Sequence, residues 1–347
     1  MAEYISFQPS DHFNTKLYTG TGSSLALTGV GFQSDFTWIR NRTVSDFSVL
    51  TDAVRGATKY LISNDTTAET TNAESLKSFD SDGFTVGTMN EVNTNTEIYV
   101  GWNWKAGTTT GIAGSPSITP TGYSFNATSG FSVIAYTGNS SAGATLPHGL
   151  GVAPKMILIK RLDSTNAWNV YHYGVDATAP EDYYMVLNTV AARVDSTTSW
   201  NDTAPTSTLF SLGTSNSVNS NTNTYIAYCF ADIQGYSKFG SYIGNGNANG
   251  PCIYTGFRPA WLMIKSAAGR LWNIFDNKRP GYNDVNSQIG ANNTDVESTD
   301  ARIDILSNGF KVIAYSNAFN EDGEVYTYSA FAEFPIVSSN DTPTTAR

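Results

Sequence analysis

The sequence predicts an all-β protein made of three tandem β-sandwich modules of jelly-roll or lectin-like type. Three observations predict this. A ten-residue phrase recurs at Gly31–Arg40, Gly151–Lys160 and Gly256–Lys265, each time a glycine, a few turn residues and an apolar run closed by Lys or Arg. The composition favours strands and turns, with 19 Tyr, 18 Phe, 7 Trp and 30 Gly, while charged residues reach only 14% against about 25% in an average soluble domain. Long runs of Ala, Leu, Glu and Lys, which helices need, are missing.

The phrase organises the chain in order. A strand running into a glycine turn precedes it, at Leu17–Gly22, Ala135–Asn139 and Ser241–Gly246. An aromatic strand follows, at Phe47–Asp52, Trp168–His172 and Trp272–Asp276. In modules one and three that strand leads into Arg55-Gly56 or Arg279-Pro280-Gly281; module two lacks the arginine. Arg55 and Arg279 each follow an aspartate, Asp52 and Asp276, so the expected role is a salt bridge that fixes the turn, with an interface or ligand contact as the alternative. A further strand ends in Asn64, Asn188 or Asn292. Turn pairs come next at Asp82-Gly83 and Asn308-Gly309, residue types that tolerate positive φ. Aromatic strands close each copy at Tyr99–Trp104, Tyr225–Phe230 and Tyr326–Phe331. The Asn/Thr spacers before them, around Asn93 and Asn219, read as exposed hairpin loops.

The phrases start at 31, 151 and 256, spacings of 120 and then 105 residues. These exceed the 20–50 residues of solenoid repeats, so each module is expected to close its own core. The expected organisation is an arm at 1–11, modules at 12–106, 130–234 and 235–335, a Gly/Thr/Ser/Pro linker at 107–129 and a polar tail at 336–347. The Arg or Lys that closes each phrase (Arg40, Lys160, Lys265) marks where its strand re-enters solvent.

Charge and composition exclude several classes. The net charge is −10 and no basic cluster exists, which argues against nucleic acid. No apolar run approaches the ~20 residues of a membrane span, and the first residues lack a signal-peptide pattern. Two cysteines, Cys229 and Cys252, cannot form a framework in a chain this size; free thiols are expected, and a single bridge between modules two and three stays open.

The phrases LYTGTGS…GVGFQSDFTWIRNRT (17–43), VRGATKYLISN (54–64), SDGFTVG (81–87), YVGWNWKAG (99–107) and YTGNSSAGATLPHGLGVAPKMILIKR (136–161) resemble a repeat found in tail-fibre-like structural proteins of marine bacteriophages, including cyanophages. That resemblance implies a virion protein, as a tail fibre or tail-tip component that serves assembly or host attachment. Capsid decoration and a lectin-like array for host glycans are the alternatives. Its partners would be other virion proteins, copies of itself and a host surface glycan. The resemblance brings no catalytic residues.

No catalytic constellation is legible either. His12, His148 and His172 lack a second ligand at metal spacing, and no cofactor is implied. Asp80-x-Asp82-Gly83 begins like a calcium loop but lacks the later oxygen ligands; a calcium site built from separate loops stays open. Asp232 and Glu333 match across modules one by one, which is not a glycosidase pair. Aromatic side chains stack on sugar rings, so Trp102, Trp104, Trp168 and Trp200, with Arg55 and Arg279, are the candidate glycan or interface contacts. Core packing is the default role for the tryptophans, since aromatic residues dominate β cores.

Overall fold

Strand alternation explains why the recurring phrase is apolar throughout. Successive side chains of a strand point to opposite faces, and both faces of these strands are buried. In a computed structural model, which describes residues 5–279, 283, 287–300 and 302–335, the phrases form the strands Phe36–Asn41, Met156–Arg161 and Phe257–Ser266. Met156 and Leu158 face one core while Ile157 and Ile159 face another. Trp261 and Met263 part from Leu262 and Ile264 in the same way. A run of this kind is the signature of a sheet covered on both sides.

The pairings recur three times. The first large sheet runs Phe13–Thr19, Ile98–Trp104, Phe36–Asn41, Val49–Asp52, Lys59–Ile62, Thr70–Thr71. The second runs Gly122–Asn126, Phe131–Thr137, Thr224–Phe230, Met156–Arg161, Asn169–His172, Tyr183–Val186, Val194–Asp195. The third runs Ser237–Ile243, Val325–Pro335, Phe257–Ser266, Asn273–Asp276, Ile289–Gly290. Within these three sheets every described strand pairing is antiparallel, and the registers correspond: Phe36 lies opposite Trp104, Met156 opposite Phe230 and Trp261 opposite Phe331. A small sheet covers the outer face of each, with strands Leu25–Leu27, Leu76–Asp80 and Gly83–Val86 in the first segment. The β-sandwich class expected from composition and turn spacing is therefore observed.

The organisation of the cores differs from the expectation. Each segment has an outer core between its two sheets, but the inner faces of all three large sheets meet in one shared core. Trp104, Phe230 and Phe331, at equivalent positions, form a triangle with ring centroids 6.2, 5.9 and 5.6 Å apart. Phe13, Phe36, Phe131, Phe239 and Trp261 pack around it. The modules are not three independent cores on a string, because one face of each sheet would otherwise be left apolar and wet. The stretch 107–129 is not a free linker: Gly122–Asn126 is a strand of the second sheet, Thr108 bridges Phe125, and Ile118 is buried. The tail at 336–347, residues 1–4 of the arm, and Pro280-Gly281 of the third turn lie outside the described residues.

A corner repeated in all three segments explains the closing strands. Tyr18 stacks on Tyr99, Tyr136 on Tyr225 and Tyr242 on Tyr326, at 5.1, 5.1 and 5.2 Å. The hydroxyls of Tyr99, Tyr225 and Tyr326 donate to the carbonyls of Asn90, Asn216 and Asn317. They also accept from the amides of Thr94, Ser220 and Glu321. Asn93, Asn219 and Asn320, all at 0% exposure, clip this loop to the glycine turn by accepting from the amides of Thr21, Asn139 and Asn245 at 2.8 Å. Asn93 and Asn219 are thus buried braces rather than exposed loop residues. The facing glycines leave no room for a side chain: a Cβ would lie 2.0 Å from the Thr94 carbonyl oxygen at Gly20, 2.3 Å from that of Ser220 at Gly138 and 2.1 Å from that of Glu321 at Gly244. Gly138→Ala is expected to cost about 2–3 kcal/mol through overpacking, read as a lowered urea midpoint with an unchanged slope.

Candidate functional site

The chemistry of this chain is concentrated where the segments meet. Asp52, His172 and Asp276 occupy one equivalent position, opposite Phe36, Met156 and Trp261. Trp102, Tyr228 and Ser329 occupy another, two residues before the aromatic triangle. The two sets bond around a closed ring. Trp102 Nε1 of the first segment donates to Asp276 Oδ2 of the third at 2.9 Å. Tyr228 of the second donates to Asp52 Oδ2 of the first at 2.7 Å. Ser329 of the third lies 3.3 Å from His172 Nε2 of the second.

The two aspartates are also held by the arginines expected from sequence. Arg55 Nε lies 2.5 Å from Asp52 and Arg279 Nε lies 2.6 Å from Asp276, with side chains at most 2% exposed. The predicted turn salt bridges are present, and they sit inside the interfaces. Burial alone would lower the pKa of Arg55, but the Asp52 carboxylate outweighs it and holds the guanidinium charged. Removing one partner of a buried pair strands the other charge. Asp276→Ala is expected to cost about 3–5 kcal/mol, since it orphans both Arg279 and the Trp102 indole N–H. Chemical denaturation of the variant beside Arg279→Ala checks this.

At the joint between the second and third segments the aspartate position holds no charge. His172 Nε2 lies 3.1 Å from the Tyr328 carbonyl, and Nδ1 accepts from the Gly174 amide at 3.0 Å. Both contacts suit the neutral ring with its proton on Nε2. Burial, only partly opposed by the Tyr328 carbonyl, pushes its pKa down to about 4. The folded value lies below the unfolded one of about 6.5, so the unfolded chain takes up the proton first. The contribution is intact above about pH 6.5 and is lost as pH falls toward 4, on the order of 3 kcal/mol in all. A His172→Gln variant is expected to lose less stability than the wild type between pH 6.5 and 4, measured by urea unfolding at each pH.

A second ring of contacts lies alongside. Trp168 Nε1 donates to the Ile62 carbonyl and Trp272 Nε1 to the Val186 carbonyl, each crossing to the preceding segment. At the joint between the third and first segments the equivalent residue is Ser48, and Ser63 Oγ reaches the Ala291 carbonyl instead. Asn64, Asn188 and Asn292 accept from the backbone amides of Ser48, Trp168 and Trp272, which explains the asparagine that ends each of those strands. The closing basic residues do not re-enter solvent: Arg40, Lys160 and Lys265 are all 0% exposed. Lys160 donates to the carbonyls of Thr66 and Asn166 at 2.8 Å, the first across the joint. Arg40 reaches the carbonyls of Asp46 and, across its joint, Asp295. Lys265 donates to the Arg270 carbonyl. Burial pushes Lys160 down to about 8 and Lys265 to about 7. Their sequence pattern looked like strand ends because a loop folds over each head group and supplies carbonyls in place of water.

The candidate tryptophans take their default role, in the cores, and not the glycan-contact role. Trp102, Trp104, Trp168 and Trp200 are 0–2% exposed, so no sugar ring can reach their faces. Trp200 packs edge-on against Tyr171 in the outer core of the second segment. The other three, with Arg55 and Arg279, are contacts between segments of one chain. Asp82 receives the amides of Gly29 and Gly31, and Asp80 receives Thr85. Asp232 pairs with Lys238 and Glu333 with Arg258. Among the described residues no group of three or more His, Cys, Asp or Glu side chains is placed to share a metal ion. Both cysteines are free, Cys229 buried and Cys252 exposed, which settles the open alternative of a bridge. No helix among the described residues is long and apolar enough to cross a membrane.

A single family model spans all three segments. It is described as a domain of unknown function (DUF7483) and matches residues 8–335. The chain belongs to this family. No curated protein sequence matches it. The match begins before the first large sheet and ends on the last strand of the third, so it takes in the shared core whole.

Proposed function

We propose that this protein is a non-enzymatic structural component of a bacteriophage virion, with a tail-fibre or tail-tip position as the leading assignment. The observation that carries the reading is the closed ring. Its polar side chains are spent on joining segments: Asp52, Asp276, Arg55, Arg279 and His172 all bond within the protein. A block that presents three related faces around one axis suits packing against symmetric neighbours, where equivalent contacts repeat. The sequence resemblance to tail-fibre-like phage proteins supplies the setting.

Burial of the tryptophans removes the main support for a lectin-like array, so contact with other virion proteins or with further copies is preferred over glycan binding. Immunogold labelling and cryo-electron microscopy of purified virions test the proposal. Density at the tail is the expected outcome. Density on the head would replace the tail assignment by capsid decoration, and absence from the particle would end the virion reading.

A further inference from the structure

Among the differences between the three joints, the one at the position of Arg42 points to a binding site. Arg42, Leu162 and Ala267 are equivalent: their amides bond the carbonyls of Ile98, Thr224 and Val325, and their carbonyls accept the amides of Glu297, Glu69 and Arg193 across the joint. At the joint between the third and first segments, Arg42 reaches Glu297 with Nε and a terminal nitrogen, both at 2.8 Å. Arg279 and Ser287 complete the carboxylate shell at 3.0 and 3.1 Å.

The joint between the first and second segments keeps the acid and the inner arginine but not the outer one. Glu69 stands where Glu297 stands, Arg55 where Arg279 stands and Lys59 where Ser287 stands. Leu162, half-buried, replaces Arg42 and offers no donor. Glu69 is left with two long contacts, 3.4 Å to Arg55 and 3.3 Å to Lys59, whose side chain is 43% exposed. In front of it lies a cleft of about 420 Å³ lined by residues of both segments, among them Arg55, Lys59, Glu69, Leu162 and Asp163. This falls within the size range of small-ligand sites.

We propose that this cleft is a guanidinium site, in which an arginine-like ligand takes the place that Arg42 fills at the neighbouring joint. A planar fork would bond Glu69 bidentately. Lys59 would swing out into solvent and Leu162 would cover the aliphatic stem; Asp163, in the lining, is already paired with Arg161 at 2.6 Å. Arg55 is paired with Asp52 and Asp163 with Arg161, so the incoming guanidinium takes over the countercharge to Glu69 that Lys59 gives up on turning outward. The joint between the second and third segments cannot do this, because Arg193 stands at the acid's position and pairs with Asp176.

Titration of the full chain with N-acetyl-arginine amide, followed by calorimetry and thermal shift, tests the site. Binding is expected, with the isosteric N-acetyl-citrulline amide weaker by roughly tenfold or more, since it lacks the charge. A Gly-Gly-Arg-Gly-Gly peptide distinguishes the source: tighter binding than the amide indicates a chain-borne arginine, and equal or weaker binding a small molecule. Leu162→Arg is expected to raise the melting temperature and to abolish binding by filling the site from within. Glu69→Gln, checked for folding by circular dichroism, is expected to abolish binding too. Equal responses to arginine and citrulline, or binding that persists in folded Glu69→Gln or in Leu162→Arg, would overturn the proposal.

Discussion

Everything in this structure depends on the contact among Trp104, Phe230 and Phe331. Three large rings from three distant parts of the chain meet edge to face, each 1–2% exposed. Aromatic pairs of this geometry contribute about 0.5–1.5 kcal/mol beyond the area they bury. Their larger effect is to fix which face of each sheet turns inward. Once Trp104 points to the axis, strand alternation sends Trp102 and Val100 the same way and Tyr99 outward. The outer tyrosine corner and the inner joint are thus set by one choice of register, and a slip by one residue would exchange them.

The joints show how one geometry is served by different chemistry. Two use a buried aspartate neutralised by an arginine three residues on, with an indole or a phenol as the donor across the ring. The other uses a neutral imidazole between a serine and a carbonyl. The second segment lacks the turn arginine, and His172 explains why: without a carboxylate at that position, a cation beside it would have nothing to balance it. Arg193 acts elsewhere, bonding the Val175 carbonyl and Asp176 while its guanidinium lies over the Tyr183 ring at 4.3 Å.

Much of the fold is legible in the sequence because it follows from period and repetition. The recurring phrase, the tight turns and the aromatic closing strands are local signals, and each forms the strand or turn it predicts. The Asp52–Arg55 and Asp276–Arg279 bridges are legible for the same reason, being close in sequence. What is not legible is where the second face of each sheet goes. A strand buried on both sides reads the same whether the second layer belongs to its own module or to a shared centre. Arg40, Lys160 and Lys265 mislead for a related reason, since a charged residue ending an apolar run usually marks solvent. One signal was present: no charged residue other than these enters the phrase strands before their last positions in the first two copies, so the inner faces are as apolar as the outer ones. The buried asparagines Asn93, Asn219 and Asn320 were also open to view through their repetition, yet their polar neighbours made them look like loop.

Ring closure fixes the number of copies. In an open repeat array each unit touches only its neighbours, and units can be gained or lost at an end with one interface changed. Here the joints run from second to first, first to third and third to second, so there is no end. Loss of any one segment would expose two joint faces and the side of the aromatic triangle between them; a fourth would have no site on the axis. The chain is therefore free to vary at its outer sheets and loops, where the segments already differ in strand number, but it cannot change length by whole repeats.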